Sequence, residues 1–206
     1  MIGAVLDWVV LHTIKDGYTM PSGEQIITDF PISHWVRYNY DPLKTQPTYP
    51  EILDVGSMNV NGSFQNYNFF SRGDRWSDIV KGDITGIDLA EGAGVTEVMS
   101  ANEMSFSDES FDLILCLEML EHDEKPAQSI KEIYRVLKPG QPLILTCPNE
   151  QAPEHHQGVS DHYNFISKDK LIKWLKSAGF KKIEYATNNE GAAHHLIYAI
   201  KPKEKK

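Results

Sequence analysis

Cysteine is nearly missing from this chain: 206 residues contain two, Cys116 and Cys147. That excludes a disulfide framework and a four-cysteine zinc site, and it suits a reducing cytoplasmic setting. Long apolar runs are also missing. The opening stretch MIGAVLDWVVL is interrupted by Asp7, has no basic segment before it and is too short to span a bilayer, so it reads as a docking helix and no membrane partner is expected. Positive charge is scarce, with 20 basic residues against 29 acidic and a formal net charge of -9, which repels a polyanionic backbone and makes nucleic acid an unexpected partner. The tail KPKEKK is the exception, and a solvated terminus accounts for it. Internal repeats and low-complexity tracts are absent, and nothing in the sequence bears on oligomeric state.

A further absence is more informative. The stretch ILDVGSMNVNGS, residues 52–63, breaks from an apolar run into a loop, as a nucleotide-binding signature does. A dinucleotide fingerprint needs glycines at its first, third and sixth positions so that the backbone can approach a pyrophosphate. Only Gly56 and Gly62 are present, with Met58 where a second glycine would stand.

What is there is a regular alternation from residue 51 onward. EILDVG, ITGIDL, TEVMS, FDLILCL and PLILTC read as strands, and their continuous apolar character implies a sheet covered on both faces. Between the last two lies DEKPAQSIKEIYRVLKPG, with acidic residues and Pro126 at its start, Ile130, Ile133 and Leu137 at helical spacing, and Pro139-Gly140 as a stop. A second helix is predicted from the cap Ser167 to Gly179. KKIEYAT and HHLIYAI, separated by a short polar link, form a terminal antiparallel hairpin. The predicted fold is α/β, a doubly wound, mostly parallel, seven-stranded Rossmann-like sheet closed by that hairpin. Its ligand belongs beyond the carboxyl ends of the strands, where strand order reverses. Two regions are expected: residues 1–50, a helical or lid segment, and residues 51–206, the ligand-binding domain.

Several segments now stand in a telling order: LDVGS after the first strand, Asp88 ending the second, SANEMSFSDESFD before the fourth, LEMLEH after it, and YRVLKPGQPLILTCPN leading into the fifth. Together they resemble the class I S-adenosylmethionine-dependent methyltransferases, in particular small ones carrying FDxxxxxExLEH and LKPG, over residues 50–200. The resemblance implies S-adenosylmethionine as cofactor and S-adenosylhomocysteine as product. A sulfonium nucleoside carries no phosphate, so its loop needs close backbone approach, which Gly56 supplies, rather than a battery of amide donors. Ser57 and Leu89 fall at cofactor-lining positions. Asp88 is the implied ribose clamp, since a carboxylate accepts from both vicinal hydroxyls; otherwise it caps the loop. Asp54 is implied to orient the methionine amine, together with the Cys116 carbonyl. The family often has Asp where Ser100 stands, so Ser100 or the Asn102 side chain must accept from the adenine amine, with the Ala101 backbone reading the ring and Met104 packing on its face.

On the acceptor side, Glu118, Glu121 and His122 follow the fourth strand, and a helical turn would put Glu118 and His122 on one face. His155, His156 and His162 lie in the long loop after the fifth strand. Three readings compete. His122 or His162, with Glu121, serves as a general base; or Glu118, Glu121, His122 and His162 bind a divalent metal that orients a hydroxyl; or these groups brace the loop. Trp35, Arg37, Tyr38 and Tyr40 suit a lid over a small acceptor, or an anchor for an N-terminal helix. The expected function is methyl transfer to a small molecule, with oxygen the favoured acceptor atom. The rivals are a non-catalytic relative that binds cofactor or a partner and, less favoured, an NAD(P)-dependent oxidoreductase.

Overall fold

The computed structural model describes residues 18–19, 26–27, 51–57, 82–151, 164–188 and 194–203. Among these, nine strands form one sheet: β1 (Tyr18–Thr19), β2 (Ile26–Ile27), β3 (Glu51–Val55), β4 (Asp83–Asp88), β5 (Glu97–Val98), β6 (Leu113–Leu117), β7 (Pro142–Pro148), β8 (Lys182–Asn188) and β9 (His194–Ile200). Their spatial order is β1-β2-β8-β9-β7-β6-β3-β4-β5. The seven strands from β8 to β5 are the expected sheet. β7, β6, β3, β4 and β5 run parallel, and β9 lies antiparallel to both β7 and β8. β1 and β2 extend the edge beyond β8, where Ile26 pairs with Thr187. Among the described residues, four of the first fifty therefore join the sheet; Trp35, Arg37, Tyr38 and Tyr40 lie outside the described residues.

The central strands are apolar on both faces, and the structure buries them accordingly. Ile52, Leu53, Leu113, Ile114, Leu115, Leu143, Ile144 and Leu145 have no exposed surface, as strands covered by layers on either side require. Helix α1 (Pro126–Val136) turns Ile130, Ile133 and Val136 inward, and helix α2 (Lys168–Ala178) turns Leu171 and Leu175. The acidic residues expected in the first turn of α1 lie just before it, because Pro126 occupies the opening position of the helix. At the start of α2, Ser167 Oγ accepts from Lys170 N–H, and Gly179 ends the helix with φ 120°. A Cβ at Gly179 would lie 2.6 Å from the Tyr134 ring. That closeness lets Tyr134 and Phe180 meet edge to face at 5.1 Å, joining the two helices.

This topology creates the site. Strand order reverses between β3 and β6, so the segments after β3, β4 and β6 open at one edge. The antiparallel register Pro148↔His194 brings the start of β9 to that same edge. Among the described residues no helix is long and apolar enough to cross a membrane.

Candidate functional site

The turn after β3 is built from two backbone bonds and one missing side chain. Gly56 N–H and Ser57 N–H both donate to the Ile87 carbonyl, at 2.9 and 3.0 Å. Both amides are thereby occupied, which is the opposite of a phosphate cradle, where such amides point at the ligand. Gly56 has φ +79°, and a Cβ there would lie 2.6 Å from Met119 Cγ. Two glycines that the motif reading passed over complete the turn. A Cβ at Gly86 would fall 2.6 Å from Ser57 Oγ, and one at Gly94 would fall 2.6 Å from the Ser57 carbonyl oxygen. Met58 and Gly62 lie outside the described residues.

Three buried side-chain oxygens have no hydrogen-bond partner among the described residues: Asp54 Oδ1 and Ser57 Oγ at this turn, and Asn102 Oδ1 in the segment after β5. Buried polar atoms are nearly always satisfied. Three such atoms at the switch point fit a ligand rich in donors, as the amine, ribose and adenine of S-adenosylmethionine are. Asp54 is 6% exposed, and burial, then the nearby charge of Asp88, pushes its carboxyl up to about 7. Asp88 is half-buried at the tip of β4. Its Oδ1 accepts from Leu89 N–H at 2.7 Å, and its carbonyl accepts from Met99 N–H at 2.9 Å. Leu89 itself is 74% exposed.

The segment after β5 is a tight turn. Asn102 N–H donates to Ser100 Oγ at 3.1 Å, and Glu103 N–H to the Ser100 carbonyl at 3.2 Å. Ser100 Oγ is thus engaged within the turn. Ala101 packs against the core. Met104 is 5% exposed, and α1 grips its backbone on both sides: Glu132 Oε2 accepts from its N–H at 2.9 Å, and Arg135 donates to its carbonyl at 2.8 Å. This clamp had no signal in the motif reading. Cys116 and Cys147 are buried free thiols whose pKa values burial pushes up, which makes them core residues in chemical behaviour.

The acceptor side departs from the expected helical face. A short 3-10 turn, Leu120–His122, begins after Glu118 rather than including it, and Glu118 has φ 53°, a left-handed backbone that few non-glycine residues adopt. Its carboxylate turns away along the sheet edge, where Oε1 accepts from Thr146 Oγ1 at 2.6 Å and Oε2 lies 2.9 Å from His194 Nε2. His122 instead meets Glu121, with Nε2 3.8 Å from Oε1. Glu121 is 2% exposed and His122 39%. His194 was read only as strand, because its partner is set by the register of β9 against β7. Among the described residues no three His, Cys, Asp or Glu side chains converge to hold a metal. His155, His156 and His162 lie outside the described residues.

Comparison with known proteins agrees with this geometry. The model of a methyltransferase domain matches residues 72–145. The ubiquinone biosynthesis O-methyltransferase of Saccharophagus degradans is 26% identical, over 80% of this chain and 78% of its own. Of other curated relatives the chain spans about half the length. Among solved structures, the cyclase SpnF superposes with a TM-score of 0.61 at 17% identity, over 84% of this chain and 80% of its own. Phosphoethanolamine N-methyltransferase 2 of Haemonchus contortus, in complex with S-adenosyl-L-methionine, does so with 0.61 at 17%, over 83% and 52%. With a phosphate-free turn after β3, orphaned acceptors around it and the antiparallel β9 beside β7, the chain has the fold of the S-adenosylmethionine-dependent methyltransferases and is similar to them in sequence.

Proposed function

We propose that the chain moves a methyl group from S-adenosylmethionine to a hydroxyl oxygen of a small molecule. The observation that carries the cofactor half is the set of orphaned oxygens on Asp54, Ser57 and Asn102. Asp54 takes the methionine amine, Asp88 the ribose and the turn at Ser100–Asn102 the adenine, with Ala101, Leu89 and Met104 flanking the ring. Gly56 and the Cys116 carbonyl line the methionine arm.

When bound, the cofactor supplies a methyl activated by its positive sulfur. The protein then has mostly to position an oxygen in line with it, which oriented reactions show to be worth several kcal/mol. The hydroxyl proton needs a destination, and His122 with Glu121 offers one at the end of β6, with His162 as a further candidate. Support for oxygen comes from this imidazole beside a buried carboxylate, since a neutral amine acceptor needs no base before attack. The printed name of the Saccharophagus degradans relative, an O-methyltransferase, points the same way. The acceptor is a small molecule that enters at this edge.

The test is a screen for S-adenosylhomocysteine formation with phenols, catechols and aliphatic alcohols against matched amines. Hydroxyl acceptors should turn over. Turnover confined to amines would remove the oxygen reading, and cofactor binding without turnover of any acceptor would favour a non-catalytic role.

A further inference from the structure

We infer that Asp123 is a specificity residue for the cofactor's base: it fixes the Asn102 amide so that Oδ1 faces the adenine amine and rejects a 6-oxopurine. The inference rests on the adenine placement proposed above and adds the residue that enforces it.

An asparagine amide is nearly symmetric in shape, so its partners decide which end is oxygen. Asn102 Nδ2 donates to Asp123 Oδ1 at 2.9 Å and, at a longer 3.4 Å, to Ser100 Oγ, a hydroxyl that can donate or accept and so does not by itself decide which end is nitrogen. A carboxylate accepts and does not donate, so the amide nitrogen is the only end of Asn102 that can face it. Asp123 is itself held in place. It is 8% exposed; Oδ1 also accepts from Lys125 N–H at 2.8 Å, and Oδ2 accepts from Ser129 Oγ in the first turn of α1. The Asp123 carbonyl accepts from Asn164 Nδ2. With the nitrogen pinned, Asn102 Oδ1 is left as a buried acceptor with no partner among the described residues. Ser100 Oγ is already engaged by the Asn102 N–H, so within this turn the unmet acceptor is Asn102 Oδ1.

Adenine offers a 6-amino donor to that oxygen. Hypoxanthine offers a 6-keto oxygen there, and two acceptors facing one another leave both unsatisfied, the arrangement by which buried polar sites reject close analogues. Asp123 does not touch the base; it acts through Asn102 and is a positioning residue. This side-chain bond joins the turn that carries Asn102 to the residue that follows His122.

The test is calorimetric binding of S-adenosylhomocysteine and of its 6-oxo analogue, S-inosylhomocysteine. The wild-type chain should prefer the amino form by about tenfold or more, the effect of one buried unsatisfied acceptor pair. In Asp123→Asn the neighbour can donate as well as accept, the Asn102 amide is free to turn over, and the preference should shrink to about twofold. Ser129→Ala, which removes another partner of Asp123 without touching the amide, should keep the wild-type ratio. If Asp123→Asn does not fold, Asp123→Ser, whose hydroxyl also donates and accepts, should show the same loss. An unchanged ratio in the folded Asp123 variant overturns the inference, as does an equal loss in Ser129→Ala. A wild-type chain that binds S-adenosylhomocysteine without preference removes the adenine placement at Asn102 itself, and one that binds neither compound removes the cofactor assignment.

Discussion

His194 Nε2 lies 2.9 Å from Glu118 Oε2, joining the first residue of β9 to the residue that follows β6. His194 is 1% exposed and Glu118 15%, and Glu118 holds φ 53°. A left-handed backbone at a non-glycine residue costs on the order of 1–3 kcal/mol and persists only where its surroundings over-determine it. Here the surroundings are Thr146 and His194, which hold the two carboxylate oxygens. Removing one partner of a buried pair leaves the other uncompensated. His194→Ala should therefore cost about 3 kcal/mol in urea unfolding, and His194→Gln, which keeps a donor at a similar reach, should restore part of it. A loss under about 0.5 kcal/mol, the range of an ordinary surface substitution, would show that the pair does not hold the turn.

The Glu118–His194 pair also marks where the sequence was legible and where it was not. Strand runs such as FDLILCL and PLILTC carry their burial in their own composition, and Ser167 and Gly179 act within a turn of their own positions. The helix stop and the terminal hairpin are local in the same way. Glu118 and His194 are far apart in sequence, and the β6–β7 and β7–β9 registers together bring them to one edge. The clamp on Met104 by Glu132 and Arg135 is hidden for a related reason: it binds backbone atoms, which leave no trace in residue identity. Gly86 and Gly94 matter because two loops cross there, a relationship no single loop displays. The loops after β3, β4 and β6 were legible as loops because each follows its own apolar strand.

Gly56→Ala tests the turn after β3. The new methyl would stand 2.6 Å from Met119 Cγ, on a backbone with φ +79°. Both the contact and the φ strain oppose it, so destabilisation of about 1–3 kcal/mol is expected. Adding Met119→Ala should relieve the contact and leave the φ strain. Full recovery in the double variant would mean that φ contributes nothing there.

Asp54 predicts a pH dependence with a definite sign. Its carboxyl is pushed up to about 7 by burial and by Asp88. Between the ordinary carboxylate value, about 4, and about 7, the folded chain holds a proton that the unfolded chain has lost. Its contribution to stability is therefore full below about 4 and falls as pH rises to about 7. Cofactor binding should run the other way if Asp54 takes the methionine ammonium as proposed, because that contact needs the carboxylate. S-adenosylhomocysteine affinity should rise from about pH 6 to about pH 7.5, with up to about one proton released per binding event near pH 6. Calorimetry in buffers of different ionisation enthalpy measures that proton. Asp54→Asn should abolish the release, and a release that persists in the variant would move the titration to another group.

Asp88→Ala separates clamp from cap. The carboxylate is bound locally to Leu89 N–H, so the substitution removes a loop cap as well as the proposed ribose contact. Loss of a cap alone costs about 1 kcal/mol of stability. Loss of charge-assisted bonds to the ribose should weaken S-adenosylhomocysteine binding by on the order of 10- to 100-fold. The decisive comparison uses 2′-deoxyadenosyl and adenosyl forms of the ligand: the wild-type chain should distinguish them and Asp88→Ala should not. An equal preference in both would leave Asp88 as a cap.

His122 is 39% exposed, while its partner Glu121 is 2% exposed. A partly exposed imidazole 3.8 Å from a buried carboxylate can present its other ring nitrogen outward, the arrangement a proton acceptor needs. His122→Ala should then lower turnover by on the order of 100-fold or more while S-adenosylhomocysteine affinity changes little, since an interaction made at the reacting oxygen lowers kcat and kcat/KM together. Glu121→Gln should act in the same direction with a smaller effect, because it loosens the ring without removing it. Chelator divides the remaining readings. Activity lost to chelator and restored by a divalent ion would assign Glu118, Glu121, His122 and His162 to a metal, and would require Glu118 to leave Thr146 and His194. Activity indifferent to chelator keeps His122 as the base. If His122→Ala lowers unfolding stability and cofactor affinity together while turnover per bound cofactor survives, the side chain braces the turn, and the acceptor's proton leaves by another route.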